Sequence, residues 1–321
     1  MKNIGVICGG FSSEFDISVK SGRNIQENLP DDYKGFLILL RKEGWTVQME
    51  GEEIMLDSKL MSFEHRGERI FLDAAIVYIH GDPGEDGKVQ AYLDMIDFPY
   101  VNSGPLASQL SFDKWYCNQF LKGFGVQVAQ SEYLTDSTKS INAKAIADKL
   151  GLPIFVKPCD SGSSYGISKV HTVEELPQAI NAAFEEGETV VLEAFLAGTE
   201  VTCGVYRNKE GIQALPLTEI VSDNDFFDFK AKYQGESQEI TPARVSETVT
   251  TEVQRVAKEI YQLLNLRSVA RIDFMLVDDV PHVIEVNTTP GFSNESIVPK
   301  MIAAANMSTK EFWQQILEVE L

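Results

Sequence analysis

Two strand-like segments near the carboxyl end place two acidic side chains opposite each other. The first segment carries Arg271 and Asp273, and the second carries Glu285 and Asn287. The two-residue period of a strand puts both members of each pair on one face. A tight hairpin centred on Asp279 sets Asp273 opposite Glu285, and the same register sets Arg271 opposite Asn287. Opposed carboxylates destabilise a sheet unless a cation lies between them.

The residue types in this hairpin favour a metal ion as that cation. Asp273, Glu285 and Asn287 offer only oxygen ligands, which suit a hard ion such as Mg²⁺. A magnesium site usually retains waters and shares substrate phosphates. The alternative is a solvated acidic face on which Arg271 is the local counter-ion. The oxygen-only set makes the metal site the preferred interpretation.

The first 98 residues predict a small parallel α/β domain. A chain of 321 residues is long enough for two or three domains. Apolar runs of strand length occur at 2–8, 35–40 and 74–79, and helical spacing occurs at 17–29 and 88–96. This alternation of strand and helix is the pattern of a nucleotide-binding type of β-α unit.

Two further domains are predicted at 99–187 and 188–321. The middle segment mixes helical and strand patterns and is expected to be α+β. The last segment is expected to start with a strand at 189–193 and to contain a helix over 245–264. Residues 222–240 lack regular periodicity, and a stretch of that length in a compact domain predicts a lid.

Charge and composition exclude several partners. The formal net charge is -20, which repels nucleic acid backbones and acidic membrane surfaces. No window is apolar enough for a signal peptide or a membrane span, so a cytoplasmic protein is expected. Four scattered cysteines with no metal-ligand spacing predict buried free thiols.

Two loops could present backbone N–H groups to an anion. Lys157 ends a predicted strand, and a Gly/Ser turn from Asp160 to Gly166 follows it. An ordinary hairpin turn is an equally good interpretation of that segment. Residues 288–296 lead into a predicted helix whose first N–H groups could bind an oxyanion. The alternative there is an ordinary helix start capped by Ser293.

Two other segments have the position of a binding site. Residues 193–200 form a hinge between predicted strands, where backbone groups could bind adenine and a carboxylate could accept from ribose. A β-turn with an acidic edge is the alternative. His80 follows a buried strand and precedes a helix, at the usual ligand-side edge of an α/β sheet. The alternative is a structural histidine in a loop.

Together these segments resemble the D-alanine:D-alanine ligases of the ATP-grasp family, in the same order and over nearly the whole chain. The motifs that carry the resemblance are GGFSSEFDISVKSG (9–22), HGDPGEDG (80–87), PYVNSGPLASQLSFDK (99–114), VKPCDSGSSYGISKV (156–170), FDFKAKY (227–233), ARIDF (270–274) and EVNTTPGFSNES (285–296). The resemblance implies an α+β ATP-grasp fold preceded by a small parallel, Rossmann-like α/β domain.

The resemblance also implies roles for individual residues. ATP would lie between the second and third domains, with two Mg²⁺ ions, or Mn²⁺ as the alternative ion, on Asp273, Glu285 and Asn287. The implied ATP-binding residues are Lys114, Lys157, Ser163 and Lys232 for the phosphates, Glu193 with Phe195 and Leu196 for adenine, and Glu200 for ribose. For the first D-alanine, the resemblance implies that Glu14 holds the ammonium group and that His80 lies near the substrate. Ser163 and Tyr233 would form a network with Glu14. Arg271 and the Gly291 N–H would stabilise the oxyanion, and Ser296 would bind the carboxylate of the second D-alanine.

The implied reaction joins two D-alanine molecules for peptidoglycan precursors. The first carboxylate attacks the γ-phosphate of ATP to give an acyl phosphate, and the second D-alanine then attacks as a free amine. The lid would keep water from the acyl phosphate. A homodimer is implied by the resemblance alone. The alternatives are a related ligase that makes D-alanyl-D-lactate and a non-catalytic small-molecule-binding protein.

Overall fold

The computed structural model describes residues 1–135, 141–160, 165–222 and 237–321. Within these ranges the strands form three larger sheets and one two-stranded sheet, each drawn from one continuous part of the chain. A search of the described helices finds none that is long and apolar enough to cross a membrane. All four cysteines are buried free thiols, as predicted.

The first sheet is built from residues 2–101 and is partly parallel. This part of the chain contains β1 (Lys2–Gly9), α1 (Phe15–Glu27), β2 (Tyr33–Arg41), β3 (Gly44–Met49), β4 (Glu52–Met55), β5 (Ser62–His65), β6 (Glu68–Phe71), β7 (Ala74–Val77), α2 (Lys88–Met95) and β8 (Tyr100–Val101). β5 and β6 pair only with each other and form the two-stranded sheet. The strand order is β4-β3-β2-β1-β7-β8. The last four of these are parallel. Three of them, β1, β2 and β7, are the predicted parallel strands, and β8 lies beyond the predicted domain end at residue 98. β3 and β4 add to β2 antiparallel, so the sheet is mixed. A two-residue link between β2 and β3 permits only an antiparallel pair.

The second sheet is antiparallel and extends further along the chain than expected. Its elements and the two helices that precede it are α3 (Pro105–Phe112), α4 (Lys114–Gly123), β9 (Ser131–Leu134), α5 (Ala143–Leu150), β10 (Ile154–Pro158), β11 (Ser168–Val170), a 3₁₀ turn (Val173–Glu175), α6 (Leu176–Glu186) and β12 (Val190–Ala194). The order is β11-β10-β12-β9. The prediction that the strand at 189–193 begins the third domain is wrong, because β12 pairs with β10 and β9. The division at residue 188 therefore cuts through a sheet.

The third sheet carries the predicted hairpin. Its elements and the helices that follow are β13 (Thr199–Asn208), β14 (Gly211–Ala214), β15 (Thr218–Ser222), β16 (Ser237–Ile240), α7 (Glu247–Leu263), β17 (Val269–Val277), β18 (Val280–Asn287), α8 (Ile297–Ala304) and α9 (Thr309–Glu320). The order is β16-β15-β13-β17-β18, with β14 on β13. β15 and β16 pair with each other, so the segment predicted as irregular begins and ends in strands. Residues 223–236, which hold most of the predicted lid, lie outside the described residues.

Opposite faces of the first sheet pack against different partners. Val6 and Leu37 belong to a core that includes apolar residues of α1, α8 and α9. Ile7 and Ile38 belong to a second core with α2 and the β5–β6 hairpin. Successive side chains of a strand point to opposite faces, which is why neighbours in β1 and β2 enter different cores. The first sheet is thereby held directly to the last two helices.

The hairpin of β17 and β18 has the predicted pairing at its functional end. Asp273 lies opposite Glu285, and Arg271 lies opposite Asn287. The register shifts by one residue between Asp273 and its neighbour Phe274. One extra residue in β18 therefore forms a β-bulge beside the acidic pair.

The turn of this hairpin is tighter than predicted. Val277 pairs with Val280, so Asp278 and Asp279 form a two-residue turn. Their φ angles are 50° and 64°, the pattern of a type I′ turn, in which both central residues have positive φ. The turn is centred between these two residues rather than on Asp279, and the bulge restores the predicted pairing at the far end.

Candidate active site

A cavity of about 700 Å³ lies between the carboxyl-terminal edge of the first sheet and the β17–β18 hairpin. Eight residues singled out in the sequence line it. They are Glu14, His80, Lys114, Arg271, Glu285, Asn287, Gly291 and Ser296. Asp273 lies beside the cavity and is bonded to Arg271. The fold thus brings together in one place residues that are far apart in the sequence.

The turn after β1 positions Glu14. Gly9 and Gly10 have φ angles of 96° and 101°, which side chains with a Cβ rarely adopt. A Cβ on Gly10 would also lie 2.5 Å from Cγ2 of Ile79. The chain therefore passes close to the segment that carries His80 before α1 begins just after Glu14, which is buried.

His80 is held by hydrogen bonds to two other parts of the chain. Its Nε2 lies 3.1 Å from the Ser21 hydroxyl, which also accepts the Phe292 N–H at 3.1 Å. The ring also bonds to the backbone of Thr289. Burial lowers the pKa of His80, although the charge of Glu14 acts in the opposite direction. His80 is therefore neutral at physiological pH and joins α1 to the loop after β18.

Glu85 also lines the cavity, and the sequence reasoning did not single it out. One oxygen of its carboxyl group accepts the Gly81 N–H at 2.8 Å. Burial raises the pKa of Glu85 to about 8, and the charge of Glu14 adds to this effect. Glu85 belongs to the HGDPGEDG motif, which was the available signal, but its burial depends on packing that a motif does not show. At neutral pH this side chain is largely protonated.

The Glu85→Gln variant is expected to lose a pH dependence of stability. The folded state binds this proton up to about pH 8, whereas an unfolded Glu releases it near its ordinary pKa of about 4.3. Stability therefore falls as pH rises from about 5 to 8, because the folded state holds more protons. Thermal unfolding is measured from pH 5 to 9 in the presence of a chelator. As the pH rises, the Tm of the wild type should fall relative to the Tm of Glu85→Gln. Exposed Glu174→Gln is the control, and parallel curves for wild type and Glu85→Gln contradict the assignment.

Asp273 is enclosed by hydrogen-bond donors. The Arg271 guanidinium bonds both of its oxygens, each at 2.8 Å. The Thr202 hydroxyl donates to it at 2.6 Å and the Asn287 amide at 3.1 Å. Arg271 is therefore the counter-ion of Asp273, as the alternative interpretation expected. The side chains of Arg271 and Asp273 are each only 14% exposed, so the sheet face that carries them is not the solvated face of that interpretation.

Glu285 has a different cation. Its Oε1 lies 3.2 Å from Nζ of the buried Lys114. Burial disfavours the charged form of this lysine, but Glu285 outweighs that effect and the pKa of Lys114 is raised. The N-terminus of α4 is fixed from both sides, because Asp113 caps it and the Lys114 N–H bonds to Cys159. The opposed carboxylates are therefore each neutralised by one basic side chain.

The donor set at the hairpin fits a hard divalent ion. Among the described residues no group of three or more His, Cys, Asp or Glu side chains could hold a metal. The predicted set instead has two carboxylates, Asp273 and Glu285, and the amide of Asn287, all on one sheet face. Oxygen ligands of this kind suit Mg²⁺, which takes few protein ligands and completes its shell with waters and phosphates. An ion here would share the carboxylates with Arg271 and Lys114.

The loop after β18 is anchored to the first sheet. The Tyr78 hydroxyl donates to the Pro290 carbonyl at 2.7 Å, and the Asn24 amide donates to the Phe292 carbonyl at 2.6 Å. Gly291 lies between these anchors, and a Cβ there would be 3.0 Å from the Ser296 hydroxyl. The Gly291 backbone is therefore held close to Ser296.

Helix α8 starts later than the Ser293 cap considered from the sequence. Its N-cap is Ser296, whose side chain makes no capping bond. The Ser296 hydroxyl instead accepts the Ser293 N–H at 3.0 Å and lies 2.8 Å from the Ser293 hydroxyl. The side chain of Ser296 thus turns back to the loop.

The residues predicted for adenine and ribose do not line this cavity and lie on β12, β13 and the hinge, and the predicted phosphate residue Lys157 lies nearby on β10. Lys157 and Glu193 form a buried ion pair at 2.6 Å, and the Asn118 amide donates to the same carboxylate at 3.1 Å. The ammonium of Lys169 lies 4.5 Å from the ring centroid of Phe195. The hinge continues through the half-buried Leu196.

Glu200 connects this region to the hairpin. It lies on β13 two residues before Thr202, so both side chains are on one face of the sheet. Thr202 is opposite Asp273 in β17. Ser163, Lys232 and Tyr233 lie outside the described residues, and their predicted roles stay predictions.

Two family models match this chain, one over its amino-terminal part and one over its carboxyl-terminal part. Residues 3–103 match the family described as "D-ala D-ala ligase N-terminus", and residues 120–318 match "D-ala D-ala ligase C-terminus". A D-alanine–D-alanine ligase of Flavobacterium johnsoniae is 44% identical, with 100% of each chain covered. One from Azobacteroides pseudotrichonymphae is 42% identical, with 99% of each covered.

Solved structures show the same fold. The D-alanyl-alanine synthetase A of Vibrio cholerae has a TM-score of 0.89 at 29% identity, with 99% of this chain and 98% of that chain covered. The VanG D-Ala:D-Ser ligase of Enterococcus faecalis has a TM-score of 0.89 at 27% identity, with 100% and 99% covered. The Bacillus anthracis D-alanine–D-alanine ligase complexed with ATP has a TM-score of 0.80 at 27% identity, with 100% and 97% covered.

These likenesses confirm the predicted fold class, an ATP-grasp fold preceded by a small α/β domain. The fold and the carboxylate-lined cavity define an ATP-dependent ligase. The chain belongs to the D-alanine–D-alanine ligase family.

Proposed function

We propose that this protein joins two D-alanine molecules to D-alanyl-D-alanine, with ATP converted to ADP and phosphate, for peptidoglycan precursor synthesis. The observation that supports it best is the cavity in which Glu14, His80, Arg271 and Glu285 meet, in a chain that matches the ligase family over nearly its full length. Acidic and basic groups in one cavity can bind both ends of an amino acid. A protein that only binds a small molecule has no need of the carboxylate pair at the hairpin.

The nucleotide is proposed to lie between the second and third sheets. Lys114 and Lys157 are the described cations for its phosphates, and Ser163 and Lys232 are the predicted further groups. Glu193 and the hinge residues Phe195 and Leu196 would bind adenine, and Glu200 would accept from ribose. The Lys157–Glu193 ion pair supports this arrangement, because it keeps the lysine oriented in a buried setting.

Two Mg²⁺ ions, with Mn²⁺ as the alternative, would be held by Asp273, Glu285 and Asn287. When bound, such ions neutralise charge on the phosphates and so favour phosphoryl transfer. Thr202 orients Asp273 through its hydrogen bond at 2.6 Å. Lys114 orients Glu285 and can also reach an anionic ligand in the cavity.

In the first step the carboxylate of one D-alanine attacks the γ-phosphorus of ATP. A C–O–P linkage forms, and the bond between the phosphorus and the bridging oxygen of ADP breaks. Glu14 would hold the ammonium group of this substrate, with His80 beside it. The neutral state of His80 suits this position, because an imidazolium would repel the ammonium.

In the second step the amine of another D-alanine attacks the acyl carbon. The amide bond forms, the C–O bond to phosphate breaks, and the nitrogen gives up one proton, which the released phosphate can accept. The developing oxyanion would be stabilised by Arg271 and the Gly291 N–H. Ser296 would bind the carboxylate of this second substrate. Tyr233 and Ser163 would complete the network with Glu14, and the lid at 222–240 would exclude water from the acyl phosphate.

The cellular setting belongs to the same proposal. Four buried free thiols fit a reducing compartment, so we place the enzyme in the cytoplasm, where ATP is available. We also propose a homodimer, on the resemblance alone, and a measurement of mass in solution tests it. Neither nucleic acid nor membrane is a proposed partner, given the net charge of -20.

The decisive experiment measures ATP hydrolysis with and without D-alanine and identifies the product by mass spectrometry. The expected result is ADP formation that depends on D-alanine and yields D-alanyl-D-alanine. D-serine and D-lactate, each supplied together with D-alanine at pH 6 and pH 8, test the second substrate. The same competition is run at pH 7, where predominant formation of the mixed product contradicts the acceptor assignment. ADP formation independent of any D-amino acid contradicts the ligase.

A further inference from the structure

Ser21 is a buried serine of α1 that belongs to the motif at 9–22 and has no part in the reaction described so far. It is closed to solvent, with an exposed fraction of 0%. The Phe292 N–H donates to its hydroxyl at 3.1 Å, and Nε2 of His80 lies 3.1 Å from the same oxygen. Within the part of the chain that the structure describes, the hydroxyl makes no other hydrogen bond.

These two contacts decide where the proton of the Ser21 hydroxyl goes. A backbone N–H can only donate, so the hydroxyl oxygen accepts from Phe292. If Nε2 of His80 were also a donor, the hydroxyl proton would be buried without an acceptor, which destabilises the folded protein. The Ser21 hydroxyl therefore donates to Nε2, and Nε2 carries no proton.

The other nitrogen of the neutral ring then carries the proton. The backbone of Thr289 raises the pKa of His80, which is the effect of a carbonyl that accepts a ring N–H. Because Nε2 accepts from Ser21, the N–H that this carbonyl accepts is Nδ1–H. Both ring nitrogens are thereby bonded to the protein, one to α1 and the other to the loop after β18.

The position of the ring N–H matters because Glu14 shares the cavity with His80. Both residues line it, and the charge of Glu14 acts on the ring. Arg271 is the other charged group that acts on it, and Tyr78 packs edge-on, with ring centroids 6.0 Å apart. A ring N–H turned to the Glu14 carboxylate would form a charge-assisted bond and compete with the ammonium of a substrate. The bonds to Ser21 and Thr289 hold the ring N–H away from Glu14.

We propose that Ser21 is a positioning residue, which holds His80 in the Nδ1–H tautomer and so reserves the Glu14 carboxylate for the ammonium of the first D-alanine. The inference rests on the proposed function, because it takes that ammonium to be the ligand of Glu14. Ser21 is closed to solvent and acts only through His80.

NMR of the ¹⁵N-histidine-labelled enzyme tests the tautomer directly, because protonated and unprotonated ring nitrogens resonate in different regions. The chain has four histidines, and the His80→Gln variant identifies the signals of His80. The wild type is expected to show a protonated Nδ1 and an unprotonated Nε2. Ser21→Ala removes the donor and is expected to lose this pure Nδ1–H signature.

Steady-state kinetics measure the consequence for the substrate. Ser21→Ala is expected to raise the KM for the first D-alanine about 10-fold, the effect of one competing hydrogen bond, with kcat within about 2-fold of the wild type. Ser21→Cys keeps the size of the side chain but donates weakly, so its KM should lie between those of the wild type and Ser21→Ala.

Ser18→Ala is the matched control. Ser18 is equally buried on the same helix, accepts the Gly9 N–H and donates to the Tyr78 carbonyl, both at 2.8 Å. Its hydroxyl is satisfied without His80. The substitution should lower the Tm to an extent similar to that of Ser21→Ala and leave the tautomer of His80 unchanged.

Three results overturn the inference in distinguishable ways. A protonated Nε2 in the wild type contradicts the assignment of the proton. A pure Nδ1–H signature that survives in Ser21→Ala shows that Thr289 alone fixes the ring, and Ser21 is then not a positioning residue. A changed tautomer with an unchanged KM shows that Glu14 needs no such reservation. All three leave the proposed function standing, which fails separately if the wild type forms no ADP in response to D-alanine.

Discussion

Arg271→Met is expected to lower D-alanine-dependent turnover at saturating substrate by about 100- to 1000-fold, the usual effect of removing one oxyanion donor. The structure adds a second, opposite expectation for the metal. Arg271 bonds both oxygens of Asp273 at 2.8 Å and so competes with an ion for that carboxylate. Its removal should therefore tighten Mg²⁺ binding while it slows the reaction. Steady-state kinetics, together with calorimetric titration of Mg²⁺ in the presence of a non-hydrolysable ATP analogue, measure the two effects.

Arg271→Lys is the matched variant for this prediction. It keeps the positive charge but lacks the planar fork that makes two parallel bonds. We expect metal affinity close to that of the wild type and a turnover between those of the wild type and Arg271→Met. A fall in ATP affinity with unchanged turnover at saturation would show that Arg271 binds nucleotide instead.

The second large effect is expected at the acidic pair. Asp273→Asn and Glu285→Gln should each lower Mg²⁺-dependent turnover by about 100- to 10,000-fold, since a metal ion contributes several kcal/mol to the transition state. The two should differ in stability. Glu285→Gln removes a carboxylate 3.2 Å from the buried Lys114, which is costly, whereas Asp273→Asn removes the carboxylate beside the better exposed Arg271. Thermal unfolding of both variants tests this order.

The same hairpin supplies a control for this second prediction. Asp279→Asn removes one carboxylate from the exposed turn, where asparagine readily adopts the φ of 64°. Turnover and metal binding should match the wild type. Metal binding that is unchanged in both Asp273→Asn and Glu285→Gln would remove the proposed site.

Much of the fold could be predicted because its signals are local. The apolar stripe of α7, at Val249, Val253, Val256 and Ile260, is helical spacing that the structure buries as expected. The four short strands β3 to β6 were missed, since they are partly exposed and carry little alternation. The sheet that β12 joins was misassigned because pairing depends on contacts distant in sequence, which a local pattern does not encode.

The site shows the same division between local pattern and packing. The pairing of Asp273 with Glu285 followed from the period of a strand, although the turn and the bulge each departed from the expected register by amounts that cancel. The elevated pKa of Glu85 could not be predicted, because it follows from what surrounds the carboxyl group in the folded protein. Residue types fix what a side chain can do, and tertiary contacts decide whether it does so.

The anchoring of the loop after β18 has a consequence for how the protein forms during synthesis. Tyr78 and Asn24 donate to carbonyls 212 and 268 residues later in the chain, and one face of the first sheet is covered by α8 and α9. A ribosome making this chain exposes the first sheet long before the partners of that face exist. The apolar face of the first sheet therefore stays uncovered until residues 290–317 have emerged from the ribosome. A nascent chain that already holds β10 and β12 consequently has no finished substrate pocket, because residues 285–297 of the cavity wall have not yet been made.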